Sequence, residues 1–85
     1  MESYNLLVKP SVVKELERVP KRVRARLVAK IEALAETPRP VGSQKLAGAD
    51  AYRLWQSNYR VLYTIDDESR VVRVMKIGHR REVYR

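Results

Sequence analysis

The chain has 85 residues, no cysteine, and 18 lysines and arginines against 10 acids, a formal net charge of +8. Folding at this length hides about 60–65% of the unfolded surface, enough for one thin core, two layers and a single domain over residues 1–85. Without cysteine there is no disulfide or thiolate chemistry, and no apolar run approaches the ~20 residues of a membrane span, which excludes helical membrane proteins and disulfide scaffolds.

The opening MESYNLLVKPSVVKEL has no basic segment ahead of a long apolar one, so no signal peptide is expected and the cytoplasm is the expected location. YNLLVK (4–9) leans to β, with Tyr4, Leu6 and Val8 on one side, and Pro10 ends it. Ser11 is a good N-cap for a short helix carrying Val12, Leu16 and Val19, and Pro20 closes that helix or begins the next. From Lys21 to Glu36 the apolar positions Val23, Leu27, Ile31 and Leu34 draw one buried stripe, with Arg22, Arg24 and Arg26 outside it. TPRPVGSQ (37–44) reads as a loop.

Three strands follow in quick succession: AYRLWQS (51–57), YRVLYTI (59–65) and VVRVMKI (71–77). Their short links predict an antiparallel meander, and the order β-α-α-β-β-β predicts an α+β fold with a helical hairpin on one face of a small sheet. If Ser57 and Asn58 are the two loop residues, Trp55 faces Arg60 across the hairpin. Alternation then puts Arg53, Trp55, Arg60 and Leu62 on an open, basic face and Tyr52, Leu54, Val61 and Tyr63 under the helices. A slip of one residue would exchange the two sets.

Arginine outnumbers lysine twelve to six. Its planar fork suits phosphate and stacks on bases, so nucleic acid leads the partner classes and an acidic protein comes second. The end of the chain, IGHRREVYR (77–85), gathers His79, Arg80, Arg81 and Tyr84 in one neighbourhood. His79 is the one histidine, and an ordinary imidazole suits proton transfer at neutral pH. Asp66, Asp67 and Glu68 share a turn with no histidine near in sequence, so neither a metal site nor a cofactor is expected.

KLAG, YRVLY and the ending IGHRREVY together resemble the RelE toxins of the RelE/ParE superfamily, and the likeness extends over nearly the whole chain. It implies a bacterial or archaeal toxin neutralised by a cognate antitoxin. It also implies an endoribonuclease that enters the ribosomal A site and cuts mRNA without a metal, the 2′-hydroxyl attacking its own phosphodiester. The partners are then the antitoxin, the ribosomal RNA and the mRNA. ParE-like relatives, which inhibit DNA gyrase and are not nucleases of this type, are the alternative.

On this resemblance Arg60 and Arg80 match the arginines around the scissile phosphate. Tyr84 matches a terminal tyrosine that orients the nucleotide and has an acid–base role, and Lys45 matches a basic position beside the site. Arg53 stands where relatives carry a catalytic lysine, and Trp55 where some carry a second. The departure at Trp55 leaves the general base unassigned and three outcomes open: weak activity, a base supplied by His79 or the ribosome, or a member that is not a nuclease. Arg53, Trp55, Lys45 and Arg81 are read as RNA contacts, Trp55 either stacking on a base or packing beside Leu62.

Overall fold

A computed structural model describes residues 3–48 and 50–83. In chain order the elements are β1 (Asn5–Val8), α1 (Pro10–Arg18), α2 (Lys21–Ala33), β2 (Gln44–Lys45), β3 (Ala51–Gln56), β4 (Tyr59–Asp66), β5 (Val71–His79) and α3 (Arg80–Val83). The five strands form one sheet in the order β1-β5-β4-β3-β2. Only β1 and β5 run parallel; the other pairs are antiparallel. The expected α+β architecture is therefore present, with two pieces beyond it: the edge strand β2, which begins at the last residue of what reads as loop, and the terminal turn of helix α3.

The helices start where proline sets them. Lys9, not Ser11, holds the N-cap position of α1, in an extended conformation, with Pro10 as the first helical residue. Proline has no N–H to leave unpaired there, and its fixed φ suits the first turn. Pro20 takes the N-cap place of α2, so it opens the second helix. That helix stops at Ala33, short of Glu36, and the chain then tightens: Leu34, Ala35 and Glu36 each donate to a carbonyl three residues back.

Both helices lie on one face of the sheet. Val12, Val19, Leu27, Ile31 and Leu34 meet Leu54, Val61, Tyr63, Ile65, Val72, Val74 and Ile77 in one core. Arg24, expected on the solvated face, is half-buried. Its guanidinium donates to the carbonyls of Val19 (3.1 and 3.3 Å) and Glu17 (3.3 Å). Those carbonyls, at the end of α1, lack helical partners, so Arg24 serves as the cap of its neighbour.

A bulge in β5 decides which face each of its residues takes. Leu62 pairs with Lys76 and Tyr63 with Val74, which leaves Met75 without an opposite number. Strict alternation from Val72 and Val74 would send Lys76 inward; the extra residue turns Lys76 to the open face and Ile77 into the core.

The loop after α2 is tied down at the end of the sheet away from the β3–β4 turn. The buried Tyr63 stacks on Tyr52, with ring centroids 5.8 Å apart, and its hydroxyl donates to the Pro38 carbonyl at 2.9 Å. Arg39 forks onto Asp67 at 2.8 and 3.2 Å and donates through Nε to the Tyr52 hydroxyl. Tyr4 donates its hydroxyl to the same carboxylate at 2.6 Å. Arg39 first, then Tyr4, holds the Asp67 carboxyl down to about 2. Among the described residues no helix is long and apolar enough to cross a membrane.

Candidate nucleic-acid face

The β3–β4 hairpin closes through Ser57 and Asn58. Gln56 pairs with Tyr59, Trp55 with Arg60, Arg53 with Leu62 and Leu54 with Val61. This is the register the two-residue loop predicts. Ser57 takes a left-handed conformation, φ 55°, the positive value that two-residue hairpin turns need at their first central position.

With that register and the β5 bulge, one face of the sheet carries Arg53, Trp55, Arg60, Leu62, Thr64, Arg73 and Lys76. Arg53, Trp55 and Arg60 are half-buried, whereas Arg73 and Lys76 are exposed. Among the described residues neither α1 nor α2 covers this side, because both pack on the other. The edge strand β2 adds Gln44, opposite Arg53, whose Nε donates to Gln44 Oε1 at 2.8 Å. That bond fixes one edge of the Arg53 fork. Beneath the neighbouring strand position, Lys30 of α2 donates to the Trp55 carbonyl at 3.1 Å.

Arg80 is brought to the same end. Its backbone N–H donates to the Asn58 carbonyl at 2.7 Å, which fastens the start of α3 to the hairpin turn. Trp55, Ser57, Asn58 and Arg80 then line a shallow cleft of about 270 Å³. The arginine therefore sits at a helix start, not on a strand, and still reaches the open side beside Trp55, the cross-strand partner of Arg60.

A family model described as "ParE toxin of type II toxin-antitoxin system, parDE" matches residues 6–84. The chain is 31% identical to Toxin RelG of Mycobacterium tuberculosis, over 96% of this chain and 97% of that protein. It is 36% identical to the mRNA interferase toxin RelE of Escherichia coli K12, over 96% of this chain and 90% of that one. Its fold superposes on a chain of the RelBE2 toxin–antitoxin complex of M. tuberculosis with a TM-score of 0.79 and 26% identity, covering 92% of this chain and 99% of that one. The chain belongs to the RelE family, within the RelE/ParE toxin superfamily.

In this RelE-family toxin the sequence-derived candidates divide. Arg53, Trp55 and Arg60 share the open face, and Arg80 joins them at the cleft. His79 goes elsewhere. It pairs with Tyr59 and meets that ring edge-on, centroids 5.1 Å apart, on the side that packs under the helices. Its Nδ1 accepts the Arg81 N–H at 3.2 Å, so in the neutral ring the hydrogen is on Nε2. In this arrangement His79 caps α3 through Nδ1. Lys45 pairs with Tyr52 and so belongs to the helix-side set, opposite in orientation to Arg53. Arg81 is exposed on α3. Tyr84 lies outside the described residues.

The open face and its cleft also carry Gln44, Asn58, Arg73 and Lys76, which the sequence did not place there. The alternation of β4 carries to Arg73 through its pair Thr64, so that residue was within reach. Lys76 was not, because the bulge at Met75 has no signature in VVRVMKI.

Proposed function

We propose that this RelE-family toxin is a ribosome-dependent endoribonuclease that cuts mRNA in the A site by attack of the 2′-hydroxyl on its own phosphodiester, without a metal. A cognate antitoxin holds it inactive by laying an acidic or amphipathic segment over the basic face. The observation that carries the reading is the grouping of Arg53, Trp55 and Arg60 on the uncovered face, with Arg80 fastened to the turn beside them. The names of the E. coli relative, an mRNA interferase, and of the toxin–antitoxin complex with the same fold support it.

Cleavage of this kind needs a proton taken from the 2′-hydroxyl, a proton given to the leaving 5′-oxygen, and charge held on the phosphorane between them. Arg60 and Arg80 suit the third of these needs. A guanidinium stays protonated and donates from a fixed fork, so it clamps phosphate and does not shuttle protons. Arg53 adds a third permanent charge, steadied by Gln44. Guanidinium in place of lysine makes a poor base. With Nδ1 of His79 engaged by the Arg81 amide, proton removal falls to a group of the ribosome or to Tyr84, to which the resemblance gives an acid–base role. Assembly of the base on the ribosome fits an enzyme that acts only there.

The experiment is a translating lysate supplied with wild type or Arg80→Ala and read by primer extension on the mRNA. A-site cuts with the wild type alone are expected. Intact mRNA together with trapped, cleaved DNA would replace this reading by gyrase inhibition, the alternative that the ParE name of the matching family model keeps in view.

A further inference from the structure

We infer that the Arg39–Asp67 clamp is a positioning device for Arg53: it holds segment 37–43 so that Gln44, the next residue, meets the Arg53 guanidinium. The inference rests on the reading of Arg53 as a phosphate contact in mRNA cleavage. It adds residues that act on Arg53 without touching RNA.

The starting point is a weak strand. β2 has two residues, both exposed, and pairs with β3 through Gln44–Arg53 and Lys45–Tyr52 alone. An edge that short buries almost no apolar surface and frays readily by itself. Yet Gln44 Oε1 is the acceptor that holds Arg53 Nε at 2.8 Å. The placement of β2 must therefore come from its flanks. On the C-terminal side the Leu46 N–H donates to the Ala51 carbonyl at 2.8 Å. On the other side stands the clamped segment.

That segment is fastened at successive residues. The Pro38 carbonyl accepts the Tyr63 hydroxyl at 2.9 Å. Arg39 sets its fork on Asp67 at 2.8 and 3.2 Å and its Nε on the Tyr52 hydroxyl at 3.0 Å. The Ser43 N–H then donates to the Pro40 carbonyl at 3.0 Å, a turn that carries the chain from the clamp into β2. Pro38 and Pro40 flank Arg39, and each fixes its own φ and restricts the residue before it, so the connection has little slack. Tyr52 stands opposite Lys45 and next to Arg53. Arg39 thus ties both β3 and the approach to β2 to one carboxylate. Asp67 is held in turn by the Tyr4 hydroxyl at 2.6 Å, and the Tyr4 N–H donates to the Ala35 carbonyl at 2.7 Å, just after α2.

Exposure says what the clamp is for. The side chains of Arg39 and Asp67 are 46% and 57% exposed, and an ion pair that open contributes little to global stability. Its two-pronged geometry gives direction instead. The consequence is local: it decides where segment 37–43 lies, and through it where Gln44 lies. With its carboxyl held down to about 2, Asp67 stays ionised near neutrality, so the clamp is a permanent brace and not a pH switch.

The test has two readouts. The first is solvent exchange of the Arg53 Nε–H in the free, full-length toxin, followed by ¹⁵N NMR, which needs no substrate. Gln44→Ala should speed this exchange roughly 10-fold, the weight of one hydrogen bond made by a charged group. Arg39→Met should speed it too, and the double variant should exchange no faster than Gln44→Ala, because both changes act on one bond. The second readout is mRNA cleavage on programmed ribosomes with an empty A site. Arg39→Met should lower the maximal rate by up to about 100-fold, the cost of a misplaced group. The half-saturating ribosome concentration should hold, since every cation of the open face is kept. A loss of folded protein alone would leave the Arg53 exchange of the folded fraction at the wild-type rate. Asp67→Asn, an isosteric change at an exposed site, is the second variant should Arg39→Met fail to fold, and both readouts should move in the same direction. Arg53 exchange at the wild-type rate in the clamp variants overturns the inference. So do cleavage rates that the clamp variants leave untouched, or effects of Arg39→Met and Gln44→Ala that simply multiply. A wild type that cuts no mRNA refutes the nuclease reading alone, and the exchange measurement still decides whether the clamp positions Arg53.

Discussion

RNA bound along the open face should reveal, in its salt dependence, how many cations that face holds. The register places Arg53, Arg60, Arg73 and Lys76 there, and Arg80 joins them at the cleft. A single strand releases about 0.7 counterion per neutralised phosphate, so five contacts predict a slope of about −3.5 in log affinity against log salt. A roughly fourfold rise in salt then weakens binding about a hundredfold. Arg60→Gln should lower the slope by about 0.7 and weaken binding most at low salt. The assay is fluorescence anisotropy with an uncleavable 2′-O-methyl oligonucleotide, repeated across salt concentrations. Arg22→Gln and Arg26→Gln, exposed on the outer face of α2, are the controls and should leave the slope as it is. An unchanged slope in Arg60→Gln, with a flatter one in the α2 variants, would show that RNA travels over the helices and refute the assignment of the face.

Arg24→Gln should destabilise the fold by about 1–2 kcal/mol, since it removes charged donors from carbonyls at the end of α1; urea unfolding with an unchanged m-value would register it, and a shift no larger than that of Arg22→Gln would count against the capping role. Tyr63→Phe deletes only the hydroxyl that the Pro38 carbonyl accepts. It should cost about 1 kcal/mol, a fall of roughly 4–8 °C in thermal midpoint for a domain of this size. Asp67 is held down to about 2 by Arg39 and Tyr4. Its folded-state value lies below the unfolded one near ~3.9, so its contribution is complete above pH ~4 and drains away as pH falls towards ~2. Asp67→Asn should therefore flatten the acid limb of the urea midpoint against pH, and an unaltered limb would show the network to be energetically idle.

Much of this architecture is legible in residue order because it is set by short-range rules. The stripe of Leu27, Ile31 and Leu34 needs only the helical period, and all three are buried. The hairpin needs only a two-residue turn, after which pairing and pleat assign Arg53, Trp55 and Arg60 to one side and Leu54, Val61 and Tyr63 to the other. Where local rules compete, the structure chose. Pro10 outranked Ser11 at the start of α1, because a fixed φ at the first helical position sets the boundary two residues earlier, with Lys9 as the cap. Arg24 looked like its solvated neighbours at 22 and 26 and was taken by the unpaired end of a different helix.

Element order, the two faces of the hairpin and the cationic excess follow from residue order alone, because each depends on chain neighbours or on a simple count. The far side of the site is settled in three dimensions. The bulge at Met75 shifts the alternation of β5 by one, which sends Lys76 to the open face and seats His79 against Tyr59. The edge pairing of Gln44 and Lys45 puts one beside Arg53 and the other across the sheet. The Asn58 carbonyl captures the amide of Arg80, distant in the chain, and completes the cleft. One cause underlies all three: each outcome is fixed by a backbone hydrogen bond to another strand or turn, and a strand's parity cannot be read until its partner is in place.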